Sequence, residues 1–181
     1  NHSQLIGQNA QVNRVYYLSL PAKKSPKVIR QSLSNKLSSY LEDKNYDLIH
    51  IHWLYPDGLA IPTLKNKGYK TVLTIHGSDW YQTYNRASLK PLIKQSLENI
   101  NHILYSGPKL NEDVEKIYPK LADSSTVAFN IVDTDKYKPA SLPEKVKLKN
   151  SFDWDLSKKH ALTVANIRHE KGVDLLVDTI V

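Results

Sequence analysis

Two apolar runs of this sequence each end in histidine, aspartate and tryptophan, side chains that can move protons or bind polar ligands. The runs are Asp47–Trp53 and Lys70–Trp80, and both begin with residues typical of β-strands. In open α/β sheets, ligands bind outside the carboxyl ends of the parallel strands. We therefore expect His52, next to the end of the first run, and His76, near the end of the second, to reach one edge of a sheet.

The first run places two histidines on one side of its strand. His50 and His52 alternate with Ile49 and Ile51, so the two imidazoles share a face. A His-x-His pair can bind zinc, but no third ligand follows at a familiar spacing. We predict no metal site here and expect His52, which is nearer the strand's end, to be the cleft residue. His76 of the second run is followed by Gly77, which allows a ligand to approach the backbone.

A second pair of reactive side chains lies near the end of the sequence. Arg168 and Lys171 are three residues apart, between the predicted strand Ala161–Ala165 and a helix predicted from Val173 onward. Cations close to a helix N-terminus suit a diphosphate group. The alternative is that both cations are simply exposed.

The amino-acid composition limits the kinds of binding partner and chemistry that the chain can have. The chain has 181 residues, a net charge of +7 and no cysteine, which excludes disulfides and thiol chemistry and fits the cytoplasm. No apolar run is long enough for a membrane-spanning helix. The excess of basic over acidic residues favours an anionic partner.

A cluster of cations lies on and before the first predicted helix. It either binds an anionic lipid surface or forms a solvated helix face. Its members are Lys23, Lys24, Lys27, Arg30 and Lys36.

Strand and helix patterns alternate along the whole chain. This alternation predicts an α/β fold, a Rossmann-like, doubly wound parallel sheet. The predicted strands are Val15–Leu20, Asp47–Trp53, Thr71–Ile75, His102–Tyr105, Thr126–Phe129 and Ala161–Ala165. The predicted helices begin at Ser25-Pro26, Gly58, Asn85, Pro108 and Val173.

Three segments are predicted from this pattern. Residues 1–139 form a partial Rossmann-like domain, residues 140–159 are a polar, lysine-rich connection, and residues 160–181 begin a second domain. A glycine-rich phosphate loop after a first strand, which is usual in nucleotide-binding α/β domains, is absent. We therefore expect the first domain to be truncated.

Five motifs in order resemble the N-terminal domain of the retaining glycosyltransferases of family four, which have two Rossmann-like domains (the GT-B fold). They are Asp47 to Gly58, Thr74-Ile-His-Gly-Ser-Asp79, Ile103 to Gly107, Val127-Ala-Phe-Asn130-Ile-Val-Asp133 continuing to Pro139, and Ala165-Asn-Ile-Arg168-His-Glu-Lys171-Gly-Val-Asp174. Two family features are missing, namely the first strand with its glycine-rich loop and a later pair of glutamates spaced eight apart.

The resemblance implies an enzyme that moves a sugar from a nucleotide diphosphate sugar to an acceptor hydroxyl with retention of configuration. It implies a carbohydrate or lipid-linked acceptor, a role in cell-surface polysaccharide or glycolipid synthesis, and no cofactor besides the donor substrate. It places the protein in the cytoplasm, or at the inner face of the membrane if the cation cluster binds lipid. Since the first strand and most of the donor domain are missing, we expect the isolated chain to be inactive.

The resemblance also implies roles for single residues. His76 would hydrogen-bond the transferred sugar near the scissile bond, and Arg168 and Lys171 would hold the donor's diphosphate. Asp79 either binds acceptor hydroxyls or caps the segment that follows it. Trp80 either stacks on a sugar ring or packs at the rim of the cleft. These alternatives remain open.

Two other functions fit parts of the same pattern. A nucleotide-sugar epimerase would keep the two-domain architecture and change the chemistry. A basic α/β module that binds nucleic acid would explain the charge, but the sequence lacks the interleaved aromatic and basic motifs of the known RNA-binding modules. We therefore predict no nucleic-acid partner.

Overall fold

The computed structural model describes residues 12–18 and 25–180. Its helices are α1 (Pro26–Tyr40), α2 (Ile61–Asn66), α3 (Ser78–Tyr81), α4 (Lys90–Leu97), α5 (Pro108–Glu115), α6 (Leu142–Ser151) and α7 (Val173–Ile180). Short 3₁₀ turns cover Asp57–Ala60, Pro119–Ser124 and His169–Lys171. Its strands are β1 (Ile49–His52), β2 (Thr71–Ile75), β3 (His102–Tyr105) and β4 (Ser125–Val127).

The strands form one four-stranded sheet in the order β1-β2-β3-β4. All three pairings are parallel, with His52 opposite Thr74 and Ile75 opposite Tyr105. Because the strands run in one direction, their carboxyl ends meet at one edge of the sheet. The predicted Rossmann-like α/β fold is thereby confirmed.

Helix α1 begins as the sequence predicts. The Ser25 hydroxyl accepts a hydrogen bond from the Val28 N–H at 3.3 Å, and Pro26 occupies the first turn. These two residues satisfy or remove N–H groups that a helix start leaves without partners. Ile29 and Leu33 are buried one turn apart on α1, and Leu41 directly after the helix is buried as well.

The core lies between the sheet and the helices around it. Leu73, Ile75, Ile93, Ile103 and Val114 are fully buried in one continuous apolar cluster. Burying a side chain of this size stabilises a fold by about 1.5–3 kcal/mol relative to leaving it exposed. The cluster therefore holds β2 and β3 in place. The polar residues at the sheet edge lie at or after the carboxyl ends of these strands and of β1.

β1 is an edge strand within the described part of the chain. The Ile49 N–H donates to the carbonyl of Lys70, just before β2, and the Trp53 N–H donates to that of Thr74. By alternation, the backbone of His50 and His52 points away from β2. A groove of about 620 Å³ runs beside this strand. Its lining includes Val15 and Tyr17 as well as apolar residues of α1.

Two predicted strands do not form in the residues that the structure describes. Residues 12–18 have no regular structure, and the last two residues of the predicted strand Val15–Leu20 lie outside the described residues. Residues 161–165 are exposed and also lack regular structure. A lone apolar run cannot form a stable strand without a neighbour to complete its hydrogen bonds, and the described residues provide none for 161–165.

The chain divides into two compact units, residues 1–131 and 132–181. The second unit contains α6, which forms within the segment predicted as a connection. Its N-terminus is a capping box, in which the Glu144 carboxylate accepts from the Ser141 N–H at 2.7 Å and the Ser141 side chain caps the helix in return. The predicted domain boundaries remain a prediction.

Candidate active site

Two histidines from neighbouring strands meet at the carboxyl edge of the sheet. The Nδ1 atom of His52 lies 3.0 Å from Nε2 of His76, and the ring centroids are 5.3 Å apart. At this distance one nitrogen must carry the proton and the other must accept it. The structure thus brings together the two residues that the strand-end pattern predicts.

His50 extends the pair to a row of three imidazoles. Its ring centroid is 4.4 Å from that of His52, and its Nε2 atom lies 2.7 Å from the Thr74 hydroxyl. Burial, followed by the charges of His52 and His76, lowers the pKa of His50 below its usual value. Burial and these neighbouring charges thus oppose proton uptake at His50. Within residues 12–18 and 25–180, no three side chains are arranged to hold a metal ion.

Trp53 covers one side of His76. Its ring centroid is 5.1 Å from that of His76, and 43 % of the residue remains exposed. The backbone of Trp53 has a φ of 77°, which is uncommon for a side chain of this size. The Trp53 carbonyl accepts from the Gly58 N–H at 3.0 Å, which helps to hold this conformation.

The turn after β2 depends on Gly77. Its φ of 98° is a conformation that glycine adopts without a steric penalty. The turn leads from His76 directly into α3, where Asp79 and Trp80 lie. His76 is therefore followed by a sharp change of direction and remains half-buried at the sheet edge.

Asp79 is buried, with only 4 % of the residue exposed. Its Oδ2 accepts from the Leu54 N–H at 2.7 Å, and its Oδ1 accepts from the His76 N–H at 3.0 Å. A carboxylate held in this way does not fit direct binding of acceptor hydroxyls. Asp79 does not cap the segment that follows it either, because its partners are the backbone N–H groups of Leu54 and His76, which both precede α3.

Trp80 is also buried, with 2 % exposed. Its ring stacks on Tyr84 at 4.5 Å and meets Tyr118 edge-on at 6.2 Å between centroids. Trp80 thus belongs to the core, a placement that fits neither a platform for sugar rings nor packing at the rim of the cleft. Trp80 follows an exposed serine by two positions, and helical periodicity turns it inward. At the sheet edge, the ring of Trp53 against His76 is partly exposed.

Arg168 and Lys171 lie on one short turn in the second unit. Both residues are exposed, and the Lys171 N–H donates to the Arg168 carbonyl at 3.0 Å. Gly172, with a φ of 62°, then leads into α7. The turn thus places two cations just before a helix start, as the sequence predicts. Asp133 accepts from the N–H groups of Asp135 and Lys136, which is ordinary turn chemistry.

The cation cluster is only partly described. Lys23 and Lys24 lie outside the described residues, whereas Lys27, Arg30 and Lys36 lie on α1. The Arg30 Nη1 atom donates to the Gln95 side chain at 2.5 Å. Because this partner is a neutral amide, it orients the guanidinium without neutralising it.

No described helix is long and apolar enough to cross a bilayer.

The fold and the polar sheet edge define an α/β protein of Rossmann-like class with a strand-end imidazole cluster. A sequence model of Glycosyltransferase Family 4 matches residues 2–136, and the chain belongs to that family. It is also 28 % identical over 141 residues to an uncharacterized glycosyltransferase of Methanocaldococcus jannaschii. That alignment covers 77 % of this chain and 35 % of the relative, so the chain spans about a third of that protein's length.

Proposed function

We propose that the protein containing this chain is a glycosyltransferase that moves a sugar from a nucleotide diphosphate sugar to an acceptor hydroxyl with retention. The observation that carries the proposal is the His52–His76 pair at the carboxyl edge of a family-four sheet. This edge is where open α/β sheets bind ligands. The name of the relative supports the same class of reaction.

His76 is the residue we assign to the reacting sugar. Its ring is half-buried, held by a hydrogen bond to His52, and flanked by the ring of Trp53. A preoriented donor or acceptor that needs no reorganisation during the reaction stabilises charge better than mobile water does. His76 would hydrogen-bond a sugar hydroxyl as the anomeric carbon gains positive charge, while His52 fixes which nitrogen carries the proton.

Arg168 and Lys171 are the residues we assign to the donor's diphosphate. The leaving group gains negative charge as its bond to the sugar breaks, and fixed cations oppose that cost. Both side chains are exposed and precede α7, whose N–H groups add to the favourable field for an anion. The proposal requires no metal ion and no cofactor besides the donor.

The test is product analysis with the full-length protein and a panel of nucleotide diphosphate sugars. We expect release of nucleoside diphosphate that depends on acceptor, and a product whose anomeric configuration, read by NMR coupling constants, matches that of the donor. Inversion would contradict the retaining mechanism. Isomerised sugar formed without transfer would show a nucleotide-sugar epimerase instead.

We also propose that α1 contacts the anionic face of a membrane, which would suit a lipid-linked acceptor. No acidic residue precedes Glu42 in the sequence, and Lys27, Arg30 and Lys36 lie on a helix without carboxylates. Each cation near an anionic surface contributes about 1 kcal/mol, and salt weakens the attraction. A cytoplasmic location with peripheral membrane contact follows from this proposal.

Vesicle sedimentation tests this contact. We expect binding to vesicles with an anionic phospholipid, weaker binding to neutral vesicles, and release by salt. Replacing Lys27, Arg30 and Lys36 with glutamine should remove the binding, whereas the same change at Lys145, Lys147 and Lys149 of α6 should not. Equal, salt-independent behaviour with both vesicle types would reduce the cluster to a solvated helix face. Retention on DNA at physiological salt would contradict the prediction of no nucleic-acid partner.

A further inference from the structure

Asp79 joins the ends of two different strands. β1 ends at His52 and β2 ends at Ile75, and Asp79 accepts one hydrogen bond from the chain just beyond each of them. The donors are the backbone N–H groups of Leu54 and His76, at 2.7 and 3.0 Å. Bonds from N–H groups to an ionised carboxylate are stronger than those between neutral groups.

The N–H groups of Leu54 and His76 need Asp79 as an acceptor because they lie beyond the strand ends, where the sheet provides no hydrogen-bond partner. A strand that ends leaves the following N–H groups without a ladder partner, and a buried N–H without an acceptor is costly. Leu54 is fully buried and His76 is half-buried. One carboxylate therefore satisfies the backbone on both sides of the gap across which His52 and His76 face each other.

Asp79 is itself held rigidly. The Thr83 hydroxyl donates to the Asp79 carbonyl, and the neighbouring Trp80 ring packs between Tyr84 and Tyr118 in the core. The carboxylate has little freedom to follow a ligand. Because the packed core fixes Asp79, the hydrogen bond from the His76 N–H to Asp79 also fixes the backbone of His76.

We propose that Asp79 is a positioning residue that keeps the His52 and His76 imidazoles at hydrogen-bonding distance and contacts no substrate. The proposal rests on the assignment of His76 to the reacting sugar. A well-placed reactive group depends on the shell that supports it, and a shift of about 1 Å at such a group can lower a rate about 10²-fold. Asp79 acts here only through the backbone.

The Asp79→Asn variant is the main test, in the full-length protein. The amide has the same shape but one accepting oxygen, so either Leu54 or His76 loses its partner. We expect kcat to fall about 10²-fold with the KM values for donor and acceptor almost unchanged. The exposed carboxylate Asp123 provides a matched control, and Asp123→Asn should keep the parental kcat.

His76→Ala in the same assay separates the two proposals. Loss of transfer in His76→Ala with parental kcat in Asp79→Asn would overturn the positioning role and leave the assignment of His76 intact. Parental transfer in His76→Ala would overturn that assignment itself. A raised acceptor KM with unchanged kcat in Asp79→Asn would show direct contact with the acceptor and would also overturn the positioning role.

NMR provides a readout that does not depend on activity. In Asp79→Asn we expect the nitrogen signals of the His52–His76 hydrogen bond to change while the methyl signals of Leu73 and Ile75 keep their parental positions. Unchanged imidazole signals in a folded variant would contradict the proposal. If the variant does not fold, amide exchange in the unaltered chain decides: slow exchange at Leu54 and His76 supports the two bonds, and exchange at the rate of an open loop refutes them.

Discussion

The imidazoles of His52 and His76 are joined edge to edge, with Nδ1 of one 3.0 Å from Nε2 of the other, across 24 positions of sequence. Parallel pairing of β1 with β2 produces this contact, since His52 lies opposite Thr74 and His76 follows two residues later. The hydrogen bond thus joins two residues that are distant in sequence and adjacent at the carboxyl edge of the sheet.

Replacing His76 with alanine should lower turnover of the full-length protein by about 10²-fold or more, as loss of one preorganised hydrogen-bonding group does elsewhere. Steady-state kinetics with the donor identified by product analysis measures the effect. His102→Ala is the matched control, because His102 opens β3 at the opposite end of the parallel sheet and bonds to Thr126. Equal losses in the two variants would show a general effect on folding.

Replacing His52 with phenylalanine should lower turnover by about fivefold, since an aromatic ring is kept and a hydrogen bond with a net value of about 1 kcal/mol is lost. The double variant with His76→Ala should be no worse than His76→Ala alone, because both changes remove the same interaction. Kinetics of the four proteins in this cycle measures the coupling. Strictly additive losses would mean that His52 acts independently of His76.

The two tryptophans near the sheet edge should differ in their effect on stability. Trp80→Ala should lower the free energy of unfolding by about 3–5 kcal/mol, because a large buried ring leaves a cavity. Trp53→Ala should cost less than about 1 kcal/mol, since much of that ring is exposed. Urea unfolding followed by circular dichroism measures both. Similar costs would contradict the placement of Trp80 in the core.

Stability should fall as the pH drops below the ordinary histidine range. The pKa of His50 is lowered in the folded chain by burial and by the charges of His52 and His76, from a usual value of 6.5. The unfolded chain therefore takes up the proton first, and the contribution of His50 is present above pH 6.5 and lost as pH falls through the lowered pKa. Urea unfolding at several pH values should show a shallower decline for His50→Asn than for the parent. An identical decline would remove His50 as a cause.

The isolated 181-residue chain should neither transfer a sugar nor bind a nucleoside diphosphate tightly at Arg168. The chain covers 35 % of its matched relative, and Arg168 and Lys171 account for contacts to the diphosphate only. In the full-length protein, alanine at either cation should weaken donor binding and leave acceptor binding almost unchanged. Calorimetry measures both. Tight nucleotide binding that depends on Arg168 in the isolated chain would contradict the predicted domain boundary.

The sequence predicts those strands of the sheet that can be recognised from their own residues and the turns that follow them. β-branched runs and the turns after them place β1, β2 and β3 near their observed positions, and the strand-end pattern selects His52 and His76. It does not predict which residues after β2 turn inward. Asp79 and Trp80 are polar or amphipathic side chains beside a glycine, and only the path of α3 decides their burial.

The second unit shows a different reason for failure. The run Ala161–Ala165 has the composition of a strand but remains without regular structure, because a strand exists only when a neighbour completes its hydrogen bonds. Helix α6 forms where a connection was predicted, because its capping box and helix-forming lysines and leucines need no distant partner. A helix start that depends on neighbouring residues can thus be predicted from the sequence, whereas a strand that depends on a distant partner strand cannot.

The outward backbone of β1 has a consequence for how the imidazole cluster can be influenced from outside. His50 and His52 direct their N–H and C=O groups away from β2, beside the apolar groove, while their side chains form the row with His76. Any strand that pairs with this edge in the full-length protein would therefore hold the main chain of the same residues whose rings are proposed to act on the sugar. Strand pairing at this edge and the placement of the imidazoles are thus coupled through His50 and His52.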